Sequence, residues 1–301
     1  MVHAPTLPEE VRDHAIEAVQ RRVDHEIDGE VFQRDADFVE RRTGDLGRAA
    51  ERYFAAEVRG LDRLPAEGPF LIVGNHSGGW WMPDVWALGT ELVAHFGPQR
   101  PLYGLVFDAA FVVPGFGPLL RRLGAVPASM ANAERALDLG AGVLAYPGGD
   151  WEAYRPWTQR HRIDLHGHSG FVRLALRRGI PVYPAVSHGS HDSMVVLSRG
   201  DRLARMVGLD RLRGSVCPVV LGGPLGVTLF APYVPMPTKL IVEVLEPLDW
   251  SAYGPDDADD PELVPELAED VRAEMQRALD RLVREVPHPL WERVRTAIGR
   301  T

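Results

Sequence analysis

The sequence predicts an α/β protein with a mainly parallel sheet flanked by helices and with helical additions at the N- and C-terminal ends. Short apolar runs alternate with segments of helical periodicity from residue 70 to residue 186, and glycine or proline marks many of the junctions. Strands that alternate with helices in this way form parallel sheets with right-handed crossovers. With 301 residues and 45% apolar content, the chain can also bury one large core.

Three regions are predicted: an N-terminal helical region at 1–60, a main domain at 61–250, and a C-terminal linker with helices at 251–301. In the first region, apolar residues recur near helical spacing from Val11 to Val31 and again from Leu46 to Val58. Gly60 is expected to end the second of these helices. Both helices are expected to pack on one side of the core.

The main domain contains most of the predicted strands and the helices between them. Strands are predicted at Phe70–Val73, Leu102–Val106, Gly124–Pro127, Gly142–Tyr146, Ile180–Val186 and Lys239–Leu245. Helices are predicted from Asp84 onward, within Ala109–Leu120, and over Ala131–Leu139 and Phe171–Arg178. A polar loop is expected at 150–168, and an acidic linker at 256–261 precedes an amphipathic helix at Leu263–Val286.

Composition narrows the classes of partner. The formal net charge of −9 gives no broad basic surface for nucleic acid. The single cysteine, Cys217, excludes an intrachain disulfide and suits a reducing cytoplasm. No apolar leader is found in residues 1–20. The longest uncharged stretch, Gly214–Thr238, is broken by several prolines and glycines, so it is expected to be a covered loop or a surface that enters the membrane interface, without spanning the bilayer.

One loop has the strongest chemical signal. The strand at Phe70–Val73 ends at Gly74-Asn75 and delivers His76 to the carboxyl edge of the sheet, where open α/β sheets place their active sites. A carboxylate such as Asp84 can hold one imidazole nitrogen while the other acts as a general base near neutral pH. The alternative is that His76 caps the core and Asp84 caps a helix.

Four motifs occur in an informative order along the chain. They are Asn75-His76-Ser77-Gly78-Gly79 with Asp84, Phe116–Ala125, Tyr146-Pro147-Gly148-Gly149-Asp150-Trp151-Glu152, and Ile180–Val186. Their sequence and spacing resemble the four blocks of the glycerolipid acyltransferase superfamily, which includes lysophosphatidate acyltransferases and, more distantly, diacylglycerol acyltransferases. The resemblance covers roughly residues 50 to 250.

The resemblance implies an O-acyltransferase that moves a fatty acyl group from acyl-CoA or acyl-carrier protein to a hydroxyl of a glycerolipid or another lipid alcohol. In that family the motif histidine deprotonates the acceptor and an aspartate orients it, so His76 is the predicted base and Asp84 its partner. Such chemistry needs no metal and no bound organic cofactor. Its partners would be the acyl donor, the lipid acceptor and a membrane surface, reached from the cytoplasm by peripheral association.

Backbone N–H groups are the predicted stabilisers of the developing oxyanion. The candidates are the glycine pairs Gly78-Gly79 and Gly148-Gly149, which also permit close approach of a ligand. Asn75 beside His76 is a further predicted substrate contact.

The sequence departs from the family pattern at two places. Seven residues separate His76 from Asp84, where the family motif has four, so the extra residues must loop out if the side chains are to meet. The third block is Tyr-Pro-Gly-Gly-Asp-Trp-Glu, which is closer to the Pro-Gly-Gly-x-x-Glu of the diacylglycerol branch than to Phe-Pro-Glu-Gly-Thr-Arg. Glu152 is therefore an alternative partner for His76.

The acceptor is expected to be a neutral or weakly charged hydroxyl. A phosphate acceptor requires an arginine or lysine clamp, and the basic residue that often follows the second block is replaced by Ala128-Ser129-Met130. Arg121, Arg122 and Arg155 remain as the candidate phosphate contacts. The alternative for Arg121-Arg122 is a solvated helix end.

Two other functions compete with acyl transfer. A serine-type lipid hydrolase would need Gly-x-Ser-x-Gly, and the segments around Ser77 and Ser169 each lack one glycine. A non-catalytic lipid-binding module would tolerate loss of His76. A polar loop rich in histidine is the preferred interpretation of a further group of residues with partial metal-site spacing, namely His161, His166, His168, His188, His191 and Asp192.

Overall fold

The computed structural model of the chain describes residues 30–113, 115–207, 216–222, 226–229 and 233–298. Most of the helix predicted from Val11 to Val31 lies outside these residues. The helices are α1 Ala36–Phe54, α2 Pro83–Phe96, α3 Phe116–Leu123, α4 Met130–Asp138, α5 Gly149–Ala153, α6 Gly170–Arg178, α7 Asp201–Val207, α8 Leu263–Glu285 and α9 Pro289–Ile298. The strands are β1 Glu57–Arg59, β2 Phe70–Gly74, β3 Leu102–Val106, β4 Ala125–Pro127, β5 Gly142–Ala145, β6 Val182–His188, β7 Val195–Ser198, β8 Val219–Gly222, β9 Gly226–Leu229 and β10 Ile241–Val244.

Seven strands form the main sheet in the order β1-β10-β6-β2-β5-β3-β4. All neighbouring pairs are parallel except β10 with β6, which is antiparallel. The predicted fold class, a mainly parallel sheet flanked by helices, is therefore confirmed. β2 lies near the middle of the sheet, and all five of its residues are buried, so the loop that follows it opens at the centre of the carboxyl edge.

Each face of the sheet is covered by its own apolar layer. One layer packs α4, α6 and α8 against side chains such as Val143 and Val182, and the other packs α2 against Phe70 and Ile72. The amphipathic helix predicted at Leu263–Val286 is α8, and its buried stripe includes Val271, Met275 and Leu279. The C-terminal region thus shares the core of the main domain.

The second N-terminal helix is shorter than predicted. It ends at Phe54, because Ala55 adopts a left-handed conformation with φ of 45°. Residues 57–59 then form β1, which pairs in parallel with β10. Val58 therefore belongs to a strand, and the helical spacing of apolar residues in this segment was misleading.

A second, three-stranded antiparallel sheet of β7, β8 and β9 covers part of the Gly214–Thr238 stretch. The prolines and glycines of this stretch predicted irregular backbone there, which is wrong for the residues of β8 and β9. Prolines and glycines do bound the strands, but four residues of β8 and four of β9 are long enough to pair. In the part of the chain that the structure describes, no helix is long and apolar enough to cross a bilayer.

Candidate active site

The end of β2 is tightly packed, which fixes the direction in which the chain leaves the sheet. A Cβ at Gly74 would lie 2.5 Å from the Tyr146 ring, so only glycine fits. The Asn75 side chain accepts a 2.7 Å hydrogen bond from the Ser187 N–H and donates to the Ser187 carbonyl at 3.1 Å. Asn75 thus ties β2 to β6, and its predicted substrate contact stays a prediction.

His76 stands at the edge of the core with a depressed basicity. Its ring packs against Tyr146 at 5.0 Å between centroids. The pKa of His76 is lowered to about 4, chiefly by burial and also by the Arg155 charge, while the Asp150 charge opposes the shift. The imidazole is therefore neutral at pH 7, as a general base must be. Its Nδ1 is buried and has no hydrogen-bond partner among the described residues.

Asp84 does not hydrogen-bond to the imidazole in this structure. Its Oδ2 accepts from the Ser77 hydroxyl at 3.2 Å, and its Oδ1 accepts from the Val85 N–H at 3.0 Å. Burial raises the pKa of Asp84 to about 7, against the effect of these hydrogen bonds. Asp84 therefore holds the residue next to His76, so its contact with the catalytic loop is indirect.

Glu152 and Arg155 form a buried pair directly behind the histidine. Glu152 Oε2 accepts from the backbone N–H of His76 at 2.8 Å, and Arg155 Nη1 donates to the His76 carbonyl at 3.3 Å. Arg155 Nη1 lies 3.4 Å from Glu152 Oε1. Burial raises the pKa of Glu152 to about 7, with Arg155 opposing the shift. This pair fixes the backbone of His76 and leaves its ring uncontacted by Glu152.

Both predicted glycine pairs lie in tight turns. Gly78 and Gly79 both have positive φ, and a Cβ at Gly79 would lie within 3 Å of Met194, Tyr233 and Tyr154. Gly149 also has positive φ, and its N–H donates to the Tyr146 carbonyl at 3.1 Å. Gly79 and Gly149 line the cavity described next.

A cavity of about 1150 Å³ opens beside His76. This is at or above the upper end of ordinary ligand pockets, which run to roughly 1,000 Å³. Its walls come from α2, β3, β5 and α4 and are almost wholly apolar, including Trp86, Leu92 and Met130. Among the described lining residues, Arg34 and Asp150 alone have fully charged side chains.

The three arginines predicted as phosphate contacts lie outside this cavity lining. Arg121 is buried with its guanidinium over the Phe111 ring at 5.0 Å. Arg122 pairs with Asp35 at 2.8 Å and stacks on Phe38. Arg155 is held by Glu152 and the His76 carbonyl, as described above. The structure therefore does not bring these side chains together around a phosphate.

Two polar residues line the cavity that the sequence motifs did not assign to the site, namely Asp150 and His168. Asp150 lines the cavity and its charge acts on His76. His168 also lines the cavity, and its Nδ1 is 2.8 Å from the Pro147 carbonyl. Asp150 lies inside the third motif, so its position two residues from Glu152 was a usable signal. For His168, no local pattern indicated the cavity.

Comparison with known proteins places this site in a family. A family model described as "Acyltransferase" matches residues 55–188, which include His76, Asp84 and Glu152. This segment of the chain belongs to the acyltransferase family. The resemblance that the four motifs indicate is thereby confirmed, and the matched segment runs from two residues before β1 to the last residue of β6.

Relatives of this acyltransferase-family chain differ in length and organism. An uncharacterized protein of Mycobacterium tuberculosis is 32% identical over 233 residues, covering 77% of this chain and 62% of the relative. The chain thus spans about three-fifths of the length of the mycobacterial relatives it matches. Phytyl ester synthase 2, a chloroplastic protein of Arabidopsis thaliana, is 33% identical over 149 residues, covering 48% of this chain and 21% of that protein.

A solved structure, that of the 1-acyl-sn-glycerophosphate acyltransferase PlsC from Thermotoga maritima, aligns over 92% of this chain and 94% of its own. The TM-score is 0.49 and the identity 14%.

Proposed function

We propose that the chain is an O-acyltransferase that transfers a fatty acyl group from a thioester donor to the hydroxyl of a neutral lipid alcohol. One observation carries this proposal: a neutral histidine, with an unpartnered buried Nδ1, lines a large apolar cavity. A long acyl chain needs such a cavity, and an acceptor hydroxyl needs such a base.

In the proposed reaction, His76 removes the proton of the acceptor hydroxyl as its oxygen attacks the thioester carbonyl carbon. The tetrahedral intermediate then expels the thiolate, which takes the proton back from His76, giving an ester and a free thiol. A base with a pKa of about 4 is unprotonated at neutral pH, and the Asp150 charge stabilises the imidazolium that forms. Backbone N–H groups of the Gly78-Gly79 turn are the proposed oxyanion donors.

The buried carboxylates have positioning roles in this proposal. Asp84 fixes Ser77, and Glu152 fixes the His76 backbone. Each acts through the loop that carries the imidazole. The geometry favours this arrangement over a direct His76–Asp84 hydrogen bond. Nδ1 of His76 has no hydrogen-bond partner among the described residues, whereas the Asp84 oxygens accept from Ser77 and Val85.

The neutral acceptor rests on the placement of charge. A phosphate monoester binds through arginine or lysine donors. Arg121, Arg122 and Arg155 instead contact Phe111, Asp35 and Glu152, respectively, away from the cavity. The name of the Arabidopsis relative, phytyl ester synthase, describes an ester of a neutral alcohol. Both observations support a lipid alcohol over lysophosphatidate.

We also propose that the protein works at a membrane surface through the outer face of the β7–β9 sheet. Val196 and Val220 point inward to a cluster with Ala153 and Tyr154, which line the cavity. Alternate residues of the same sheet point outward and are each more than 40% exposed, namely Leu197, Leu221, Val227 and Leu229. An apolar face of this kind suits the lipid interface from which both substrates come.

The proposal is tested by incubating purified protein with a labelled acyl thioester and a panel of acceptors, then identifying the acylated product. The panel contains long-chain alcohols, diacylglycerol, lysophosphatidylcholine and lysophosphatidate. Transfer to the neutral alcohols is expected. Acylation of lysophosphatidate alone would show that the acceptor class is wrong, and release of free fatty acid without any acyl product would favour the hydrolase.

A further inference from the structure

A second cluster of polar side chains lies outside the lining of the acyl cavity. His188 ends β6, Asp192 lies in the short 3₁₀ helix His191–Ser193, and His161 follows the 3₁₀ turn Trp157–Gln159. One ring nitrogen of each histidine and one carboxylate oxygen all lie within 4.8 Å of one another. Two chain segments, one at residue 161 and one at residues 188–192, thus place two imidazoles and a carboxylate together.

His188 has a tautomer suited to a metal ligand. Its Nε2 is 2.7 Å from the Val286 carbonyl, which can only accept, so Nε2 carries the proton. The lone pair of a neutral ring is then on Nδ1. Histidine ligands in metal sites typically donate their other N–H to a backbone carbonyl in this manner, which fixes the ring orientation.

His161 has a buried nitrogen without a partner. Its Nε2 makes no hydrogen bond with any described residue, although buried polar atoms normally have one. Its ring is in an edge-on contact with the ring of His188, at 5.6 Å between centroids. The backbone is held in place, because the His161 carbonyl accepts from Gln276 on α8 at 2.9 Å.

The third group, Asp192, is oriented by a cation. Arg160 Nε lies 3.3 Å from Asp192 Oδ1, and the guanidinium stacks on Trp157 at 3.7 Å. This ion pair engages Oδ1 of Asp192. The nearby positive charge of Arg160 opposes a second cation, so the affinity is expected to be moderate.

We propose that His161, His188 and Asp192 form a Zn²⁺ site, contrary to the sequence-based expectation of no metal. Two imidazoles, one carboxylate and a water make an ordinary tetrahedral zinc environment. Zinc–ligand bonds of about 2.0–2.2 Å bring ligand atoms to roughly 3.4 Å from one another. His161 and Asp192 are only partly buried, so small side-chain rotations close the remaining distance.

The site would brace the active-site loop. His191, next to Asp192, has its Nε2 at 2.9 Å from the Arg155 carbonyl, and Arg155 in turn donates to the His76 carbonyl. Zinc would join the segment 155–161 to the end of β6 and to the His191–Ser193 turn. The role proposed for the ion is to hold these segments together, and it is separate from the chemistry proposed at His76.

The test uses the full chain, stripped with EDTA, dialysed, incubated with zinc sulfate and passed through a desalting column. Bound zinc is measured by mass spectrometry, and the Tm is measured with and without zinc. The variants are His161→Ala and Asp192→Asn, and the matched control is His95→Ala, which removes an exposed histidine of α2. Because even outer-shell changes cost about 10–100-fold in metal affinity, each ligand variant is expected to lose at least about tenfold.

Wild type and His95→Ala are expected to retain one Zn²⁺ per chain and to show a higher Tm with zinc, whereas His161→Ala and Asp192→Asn are expected to retain little and to show no shift. Failure of wild type to retain zinc, or equal retention by His161→Ala and His95→Ala, would overturn the site. Neither result depends on acyl transfer, so the proposed function stands or fails by its own assay.

Discussion

At the level of single residues, the neutral state of His76 sets the expected pH profile. Burial lowers its pKa from the ordinary 6.5 to about 4. The unprotonated, basic form is therefore the major form at pH values above about 4.5. We predict that titration of His76 changes kcat/KM little between pH 8 and pH 5, and that kcat/KM falls steeply below pH 5. Initial rates on a neutral alcohol across pH 4–9 measure this.

Burial also raises the pKa values of Asp84 and Glu152 to about 7, so these carboxyls are a second source of pH dependence. Repeating the profile with Asp84→Asn and with Glu152→Gln separates the sources, since the limb that belongs to His76 remains in both variants. An acid limb near pH 6.5 that persists in both variants would contradict the profile, because it would mean a solvated imidazole.

Asp84 provides a prediction about stability. Its folded-state pKa of about 7 lies above the ordinary 3.8, so between pH 4 and pH 7 the folded chain keeps a proton that the unfolded chain has lost. Stability from this group therefore falls as pH rises through that window. One pKa unit corresponds to about 1.4 kcal/mol. The free energy of unfolding of Asp84→Asn, measured relative to that of wild type, should therefore rise by up to ~4 kcal/mol between pH 4 and pH 7.5.

Urea unfolding of both proteins at several pH values gives this difference. Asp62→Asn, which changes an exposed carboxyl on the turn Leu61–Arg63, is the matched control and should keep a nearly constant difference from wild type. A constant difference for Asp84→Asn as well would show that Asp84 is ionised in the folded chain at neutral pH.

At the level of elements, α2 offers a way to shorten the cavity. A Cβ at Gly89 would meet no atom within 4 Å, and Gly89 lines the cavity, so a larger side chain there has room only inside it. We predict that Gly89→Leu shifts donor preference toward shorter acyl chains. It should not destabilise the protein, because glycine in a helix interior costs roughly 1 kcal/mol relative to a good helix former.

The control for this prediction is Gly44→Leu, which makes the same change at an exposed position of α1 outside the cavity lining. Rates with a series of acyl thioesters of increasing length compare the two variants. Unchanged chain-length preference in Gly89→Leu would show that the acyl chain lies elsewhere.

The next prediction concerns membrane binding by the β7–β9 sheet. The double variant Leu221→Lys/Val227→Lys places two charges on its outward face, at residues that pair with each other across β8 and β9. Liposome flotation should show binding by wild type and a large loss in this variant. Leu139→Lys changes a similarly exposed residue beyond α4 and should float like wild type. Equal flotation of the double variant would contradict the proposed face.

Elements differ in how well the sequence predicted them. β2, β5 and the first five residues of β6 are apolar runs near turn residues, so each was recognisable locally. β1 is three residues long and exists because β10 offers it an edge, so its pairing depends on residues almost two hundred positions away. β8 and β9 were obscured because prolines and glycines surround them.

The same distinction holds for the candidate site. The position of His76 followed from a local pattern, a strand that ends in glycine and asparagine. The roles of Arg121 and Arg122 did not, because a guanidinium reaches several partners and its choice depends on tertiary contacts such as Phe111 and Asp35. The indirect position of Asp84 also depended on how residues 77–83 fold.

At the level of the whole molecule, the central strand, the buried Glu152–Arg155 pair and the cavity converge on His76. The sheet delivers the histidine to its carboxyl edge, the pair fixes its backbone, and the cavity gives an acyl chain access to it. The small sheet packs on Ala153 and Tyr154 at the wall of the same cavity. This arrangement explains why the loop that follows β2 is the proposed centre of the chemistry.

The most direct measurement is acyl transfer by purified His76→Ala, compared with wild type using a labelled acyl thioester and a long-chain alcohol. Because a positioned general base contributes about 10²–10⁴-fold, the variant should lose at least about a hundredfold in rate. Its circular dichroism spectrum and Tm should remain close to those of wild type, which separates chemistry from folding. A folded His76→Ala protein that retains most of the activity would contradict the account.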